Sequence, residues 1–166
     1  MRNIFFGSLC VIVLLFSCKN KQQEIITQNN IIVEDQQELY RLNDALFVLF
    51  EQDAGEQECV EQYDSLSKFI KACIFRYDTI QPAGEDQGLV SAMQNFLKNY
   101  WQLTYNEYRK LLYIVIKPRY EFTAQDIIDV DSLYVLIAEK QQKIDSEFAN
   151  NQEAFLKKHG IRVVSQ

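Results

Sequence analysis

The segment DQGLVSAMQNFLKNYWQLTYNEYRKLLYIVI, residues 86–116, decides the fold. Its apolar residues recur at steps of three and four, the spacing that brings side chains to one side of an α-helix. Pro118 ends the segment because proline cannot continue a helix. The pattern predicts one long helix with a wide apolar face that other helices must cover, formed by Leu89, Met93, Phe96, Leu97, Tyr100, Trp101, Leu103, Tyr108, Leu111 and Leu112.

Three other segments show the same spacing, at about residues 34–52, 60–77 and 123–159. Five Gly and two Pro in 166 residues disfavour a turn-rich β fold. Short connections between amphipathic helices favour antiparallel neighbours. We therefore expect an all-α, up-down antiparallel four-helix bundle over residues 34–160, with a short tail at 161–166.

The last helix carries a stop and a start signal. Thr123 with Asp126 three residues later resembles a capping box, with Asp in place of Glu or Gln. Gly160 suits the left-handed position after a helix end. Between these signals the sequence predicts a buried stripe of Ile127, Val130, Leu133, Tyr134, Ile137, Ile144, Phe148 and Phe155.

The number of helices depends on Gly55. Glycine adopts the left-handed conformation at little cost, which favours a turn that ends the first helix here. The apolar positions on either side keep one heptad phase, and a glycine inside a helix costs only about 1 kcal/mol. The alternative is therefore three long helices, with residues 34–77 as one kinked helix. A second break, at Pro82 and Gly84, is unambiguous.

The N-terminus carries an export pattern: Arg2, an apolar run over residues 4–16, then Leu15-Phe16-Ser17-Cys18 and a polar stretch. The apolar run is shorter than the roughly 20 residues of a membrane span. Leu15 to Cys18 resembles the lipobox of bacterial lipoproteins, although Phe16 replaces the usual small residue. The resemblance implies that residues 1–17 are a signal peptide and that Cys18 becomes a diacylated N-terminus. An ordinary signal peptide cut nearby and a short uncleaved anchor are the alternatives.

Residues 18–33 are polar, with two short apolar groups, and we expect them to form the lipidated cysteine and a flexible tether. Two acyl chains hold a protein stably on a bilayer, where a single chain lets it exchange. Lys19 follows the cysteine instead of an acidic residue, which favours the outer over the inner membrane. The expected location is the bacterial cell envelope, and the lipid on Cys18 is the only non-protein group expected.

Charge and residue types exclude several functions. The net charge is −6, so binding of nucleic acid, which needs Lys and Arg at phosphates, is not expected. His159 is the only histidine, and the acidic residues at the start of the last helix lack the spacing of a calcium loop, so no metal site is expected. No nucleophile, base and oxyanion donor form a recognisable set. We therefore expect no enzyme activity.

Cys59 and Cys73 are the two thiols left after Cys10 and Cys18. On one straight helix they are about 21 Å apart, too far for a disulfide. We expect both to be free and buried. A disulfide across a broken helix, a bridge between two copies and redox chemistry remain open alternatives.

Aromatic residues are concentrated around the end of the third helix. Tyr and Trp are common at binding hot spots because they combine a rigid apolar body with a polar tip. Residues Tyr100, Trp101 and Tyr108 match the buried stripe. The candidate interface residues, which fall off it, are Tyr105, Tyr120 and Phe122.

The C-terminal half is similar to an uncharacterised family of helical bacterial surface lipoproteins. The matching residues are Glu107-Tyr108, Thr123 with Asp126, and the series Asp145, Phe148, Gln152, Phe155 and Lys158-His159; Gly160 stands where Asn is expected. The resemblance implies an exported, membrane-tethered helical domain and no particular activity.

These features together predict a lipoprotein whose bundle binds a protein partner, as an adaptor, an inhibitor or a subunit of an envelope complex. The alternative is a protein that holds a small apolar molecule between its helices, in a cavity beside Trp101.

Overall fold

A computed structural model describes the backbone of residues 5–80 and 88–161, and side chains from residue 23 onward within these ranges. The predicted break at Pro82 and Gly84 and the tail at 162–166 lie outside the described residues, as do the side chains of the Cys18 motif.

Five α-helices make up the described chain: α1 (Phe5–Glu51), α2 (Glu56–Thr79), α3 (Gly88–Leu103), α4 (Arg109–Val115) and α5 (Ala124–Lys158). A π-helical turn, Thr104–Tyr108, joins α3 to α4 without a break, and a 3-10 turn, Arg119–Glu121, precedes α5. Since α3, the π turn and α4 form one continuous helical segment, the described residues build an all-α four-helix bundle. The fold class is confirmed.

The core runs along the bundle axis. Leu39, Leu66, Leu97 and Tyr108 from different helices are fully buried in it. None of the helices among the described residues has the combination of length and apolarity that crossing a membrane requires.

The expected flexible tether at residues 18–33 is wrong, because α1 runs through this segment and the first helix starts well before residue 34. Ile25 and Ile32 are buried. Together with Leu39 and Leu46 they form a strict seven-residue repeat, which keeps side chains on one side of a helix. The polar residues between them occupy the solvent side of that helix.

A turn separates α1 from α2, so the single kinked helix over residues 34–77 is excluded. The residue that takes the left-handed conformation is Asp53, with φ 56°. Gly55 has φ −62° and ψ 153° and stands at the N-cap of α2. The turn was predicted correctly, but the role given to Gly55 in ending α1 was wrong.

Both ends of α5 match the sequence signals. The side chain of Thr123 accepts from the backbone N–H of Asp126, and the Asp126 carboxylate accepts from the backbone N–H of Thr123, which confirms the capping box. Gly160 has φ 65°, and the N–H of Ile161 donates to the carbonyl of Leu156 at 2.9 Å, as in a Schellman motif.

Cys59 and Cys73 are both on α2, buried and unpaired. Burial raises the pKa of each thiol, which keeps it in the protonated, poorly nucleophilic form.

Candidate protein-binding face

The first half of α5, residues 124–138, is apolar on nearly every side. Ile137 is buried, and Val130, Leu133 and Tyr134 are half-buried against the core. The remaining large apolar side chains of this half are exposed to solvent: Ile127, Ile128, Val135 and Leu136. We refer to these four residues as the distal apolar face.

Helix geometry explains why this face points outward. Ile128 precedes the buried Ile137 by nine residues, which at about 100° per residue places the two on opposite sides of α5. Val135 follows Ile128 by two helical turns and shares its side. Their exposed fractions are 57% for Ile128 and 61% for Val135. A helix that is apolar all round is normally covered all round, and here the chain itself covers only one side.

On the α4 side, the face continues into an open groove of about 460 Å³. Its apolar lining is Tyr113 and Ile114 of α4 together with Leu133 and Leu136 of α5, and Lys110 and Asp129 contribute the charged positions. Tyr113 is itself exposed. The apolar surface therefore extends across two elements of the bundle.

The face lies at the end of the bundle opposite the N-terminal part of α1. The Phe47 ring, near the C-terminal end of α1, is 5.8 Å from the Tyr134 ring of α5. Arg119, just before α5, donates through Nε to Asp53 in the turn after α1, at 2.8 Å. Along the axis of α1, Cys18 and Glu51 are about 50 Å apart at 1.5 Å per residue.

Three exposed acidic side chains lie on α1 and α5 toward this end of the bundle. Asp44 and Glu51 of α1 and Asp131 of α5 are exposed, and none of them forms an ion pair with another described residue. We refer to these three carboxylates as the acidic rim. Burial raises the pKa of Tyr134, and the negative charge of Glu51 raises it further.

Buried polar contacts hold α5 in place beneath the face. The Tyr108 hydroxyl donates to Asn43 Oδ1 at 2.6 Å and accepts from Gln141 Nε2 at 2.7 Å, so one hydroxyl connects α1, the π turn and α5. Burial raises the pKa of Tyr108 far above its usual value. Lys140 of α5 pairs with Glu107 of the π turn at 2.6 Å.

A second polar contact lies one turn further along α5. Asp145 accepts from the hydroxyls of Tyr40 and Tyr100 at 2.8 and 3.3 Å. Burial raises the pKa of Asp145, and the two tyrosine hydroxyls partly oppose this shift. These contacts fix the position and rotation of α5, and therefore the direction in which its uncovered apolar residues point.

The sequence-predicted interface residues do not form one surface. Tyr120 is 86% exposed and lies next to the start of α5. Tyr105 is exposed on another side, where its ring lies 5.9 Å from the Trp101 ring and carries the Arg109 guanidinium at 4.1 Å. Phe122 is half-buried. Of the three, Tyr120 alone is both highly exposed and within a few residues of the start of α5.

The core assignments of the aromatic residues are confirmed for Tyr100 and Tyr108, which are buried. Trp101 is only half-buried, with the Lys71 ammonium 4.4 Å from its ring. It does not line the groove between α4 and α5 or the two other pockets described in this chain. The expected ligand cavity beside Trp101 therefore has no support from these pockets.

The assignment of Ile127 to the buried stripe is wrong, since this side chain is 58% exposed. Tyr134 contacts Phe47, and α1 and α5 run in opposite directions. Seven residues before Tyr134, Ile127 therefore lies beyond the level at which α1 ends at Glu51. A signal for the face was present in the sequence: the adjacent pairs Ile127-Ile128 and Val135-Leu136 are too wide for one stripe.

Within the described residues, no group of three or more His, Cys, Asp or Glu side chains is arranged to hold a metal ion. Searches of protein-family models, curated proteins and solved structures find no match to this chain.

Proposed function

We propose that this chain is a bacterial envelope lipoprotein, anchored through lipid on Cys18, whose helical bundle binds another protein without catalysing a reaction. The outer membrane is the proposed location. Binding of nucleic acid has no place in this proposal.

The observation that carries the proposal is the distal apolar face. The exposed aliphatic side chains of α5 extend round the helix from Ile127 through Ile128 and Val135 to Leu136, which also lines the apolar groove between α4 and α5. Scattered exposed apolar residues are ordinary, whereas a contiguous patch is typical of an interaction site. Its distance of about 50 Å from Cys18 along the α1 axis would keep it clear of a bilayer at the anchor.

The helical course of α1 supports the same arrangement. Ile25 is already in the core, and it follows Cys18 by only seven residues of continuous helix. The proposed anchor and the bundle are thus joined by a short helical spacer, which would hold the distal apolar face at a set height above the membrane.

The anchor is tested by metabolic labelling with an alkyne fatty-acid analogue in cells that make the wild-type chain or Cys18→Ala. We expect label and membrane retention in the wild type and loss of both in the variant. A wild-type chain that carries no label, or that keeps residues 1–17 after purification, would refute the anchor.

Partner binding is tested in the same cells with a photo-crosslinking amino acid at position 128, and with a matched control at position 75. Phe75 is 73% exposed on α2 and lies outside the face. We expect a discrete crosslinked protein from position 128 that is absent from position 75. Equal patterns from the two positions would contradict the proposed binding face.

A further inference from the structure

Exposed aliphatic and acidic side chains alternate at helical spacing on both α5 and α1. On α5, Asp131 lies one helical turn after Ile127 and one turn before Val135, so its carboxylate stands between two exposed aliphatic side chains. On α1, Val48 is exposed between Asp44 and Glu51 with the same helical spacing. The Phe47–Tyr134 contact joins the two helices at this level.

Two other acidic side chains at this end of the bundle have cationic partners. Asp126 pairs with Lys117, and Asp53 pairs with Arg119. The three carboxylates of the rim have none: Asp131 lies between Ile127 and Val135 on α5, and Asp44 and Glu51 lie on either side of the exposed Val48 on α1. A partner that covers the aliphatic side chains would have to approach these negative charges.

We propose that the occupant of the distal apolar face is a basic amphipathic helix of another protein. Aliphatic side chains on one side of that helix would cover the face, and Lys or Arg along the border would meet Asp44, Glu51 and Asp131. Recognition of an amphipathic helix depends on such apolar anchors at helical spacing. Charge complementarity then selects the partner and speeds its association. This inference rests on the proposed protein-binding function and specifies the chemistry of the partner.

A second copy of the chain fits this surface poorly. Two copies joined through the face would bring one acidic rim against the other, and like charges placed opposite each other are unfavourable. If both copies were anchored in one membrane, their α5 helices would run parallel and Asp131 would face Asp131 of the other copy. An antiparallel pair would instead direct the two Cys18 ends away from each other.

The experiment measures binding of synthetic peptides to the full-length chain purified from membranes in non-ionic detergent. Three fluorescent amphipathic peptides share one aliphatic stripe and carry Lys, Gln or Glu on the polar positions. Fluorescence anisotropy gives the dissociation constants, with empty micelles as the blank. We expect the Lys peptide to bind at least about tenfold more tightly than the Glu peptide, and its affinity to fall as salt screens the charges.

Three variants test whether the peptides bind at the distal apolar face. Val135→Gln removes an apolar contact and Asp131→Asn removes one rim charge. Phe75→Gln is the control, because Phe75 is an exposed apolar residue outside the face, at 73% against 61% for Val135. We expect Val135→Gln to weaken binding of all three peptides. Asp131→Asn should weaken binding of the Lys peptide alone, and Phe75→Gln should change nothing. Circular dichroism verifies that each variant keeps its helical content.

Equal binding of the Lys and Glu peptides, preference for the Glu peptide, or equal effects of Val135→Gln and Phe75→Gln would overturn the inference. A dimer in light scattering that Val135→Gln dissociates would overturn it as well and identify a second copy as the occupant. The peptide-binding and light-scattering measurements use purified chain and do not depend on the lipid anchor. Absence of lipid on Cys18 would therefore refute the proposed lipoprotein and leave the result of these measurements open. A crosslinked partner that lacks a basic amphipathic helix refutes this inference and leaves the proposed binding function intact.

Discussion

The two halves of α5 differ in how well the fold accounts for their apolar residues. In residues 139–158, the large apolar side chains Ile144, Phe148, Phe155 and Leu156 are all buried, and polar residues occupy the rest of the surface. In residues 124–138, Ile137 is buried while four large aliphatic side chains remain exposed. Folding therefore explains the apolar residues of the second half and leaves those of the first half available for binding.

The difference follows from the neighbours of each half. The second half lies beside the middle of α1 and α3, where Phe148 meets Phe96 at 4.9 Å between ring centroids. The start of the first half, at Ile127 and Ile128, lies beyond the level where α1 ends at Glu51, whereas α4 lines the groove beside residues 129–136. A single helix thus changes from a core element to a surface element along its length because its neighbours end.

The largest stability effect is expected in the second half of α5. Phe148→Ala removes a buried ring from contact with Phe96 and leaves a cavity, so the free energy of unfolding should fall by about 3–5 kcal/mol. Ile128→Ala truncates an exposed side chain in the first half and serves as the comparison, with a much smaller loss expected. Urea denaturation of both variants measures the two effects, and similar losses would show that the halves do not differ as described.

A smaller loss is expected at the polar contact where the two halves meet. Tyr108→Phe removes the hydroxyl shared by Asn43 and Gln141 and leaves these side chains without that partner, at a cost of about 1–3 kcal/mol. Tyr113→Phe is the control, because Tyr113 is exposed in the groove. If denaturation shows equal stability for both variants, the hydroxyl of Tyr108 does not fix the position of α5.

Substitution of Asp126, at the start of the first half of α5, should change the stability of the chain in a pH-dependent way. The hydrogen bond from Lys117, and then those from Thr123, lower the pKa of Asp126 from 3.8 to about 2. A carboxylate with a depressed pKa in the folded chain stabilises it fully above pH of about 4, and the contribution disappears as pH falls through about 2.

Asp126→Asn should therefore destabilise the chain at pH 6, by less than Tyr108→Phe does, and the difference from the wild type should shrink steadily below pH of about 4. Thermal unfolding followed by circular dichroism across this range measures the effect. A constant difference between the two proteins down to pH of about 2 would contradict the assignment of the shift to Asp126.

The smallest effect on folding is expected at the distal apolar face. Ile128→Gln and Val135→Gln replace exposed side chains, so each should change the free energy of unfolding by no more than about 0.5 kcal/mol. Their effect should appear in binding instead. A large loss of stability in urea would mean that these side chains are part of the core.

Sequence patterns were sufficient for the helices of the bundle and for the caps of α5. Apolar spacing, the Thr123–Asp126 pair and Gly160 act locally, so their outcome depends little on the rest of the chain. The expectation of a flexible tether before residue 34 was wrong because two buried isoleucines seven residues apart are a sparse helical signal among polar neighbours. The interface role of Tyr105 stays a prediction, and the sequence could not show that its ring contacts Trp101 and Arg109.

The amino-acid sequence by itself determined that this chain is helical, where most helices begin and end, and that residues 124–138 carry more apolar surface than one stripe needs. These properties depend on interactions within a few turns of the chain. Only the tertiary structure decided which of those apolar residues remain uncovered and which carboxylates lie beside them. Burial is set by the helices that pack alongside, and α1 ends at Glu51, short of the level of Ile127 and Ile128, which remain in water.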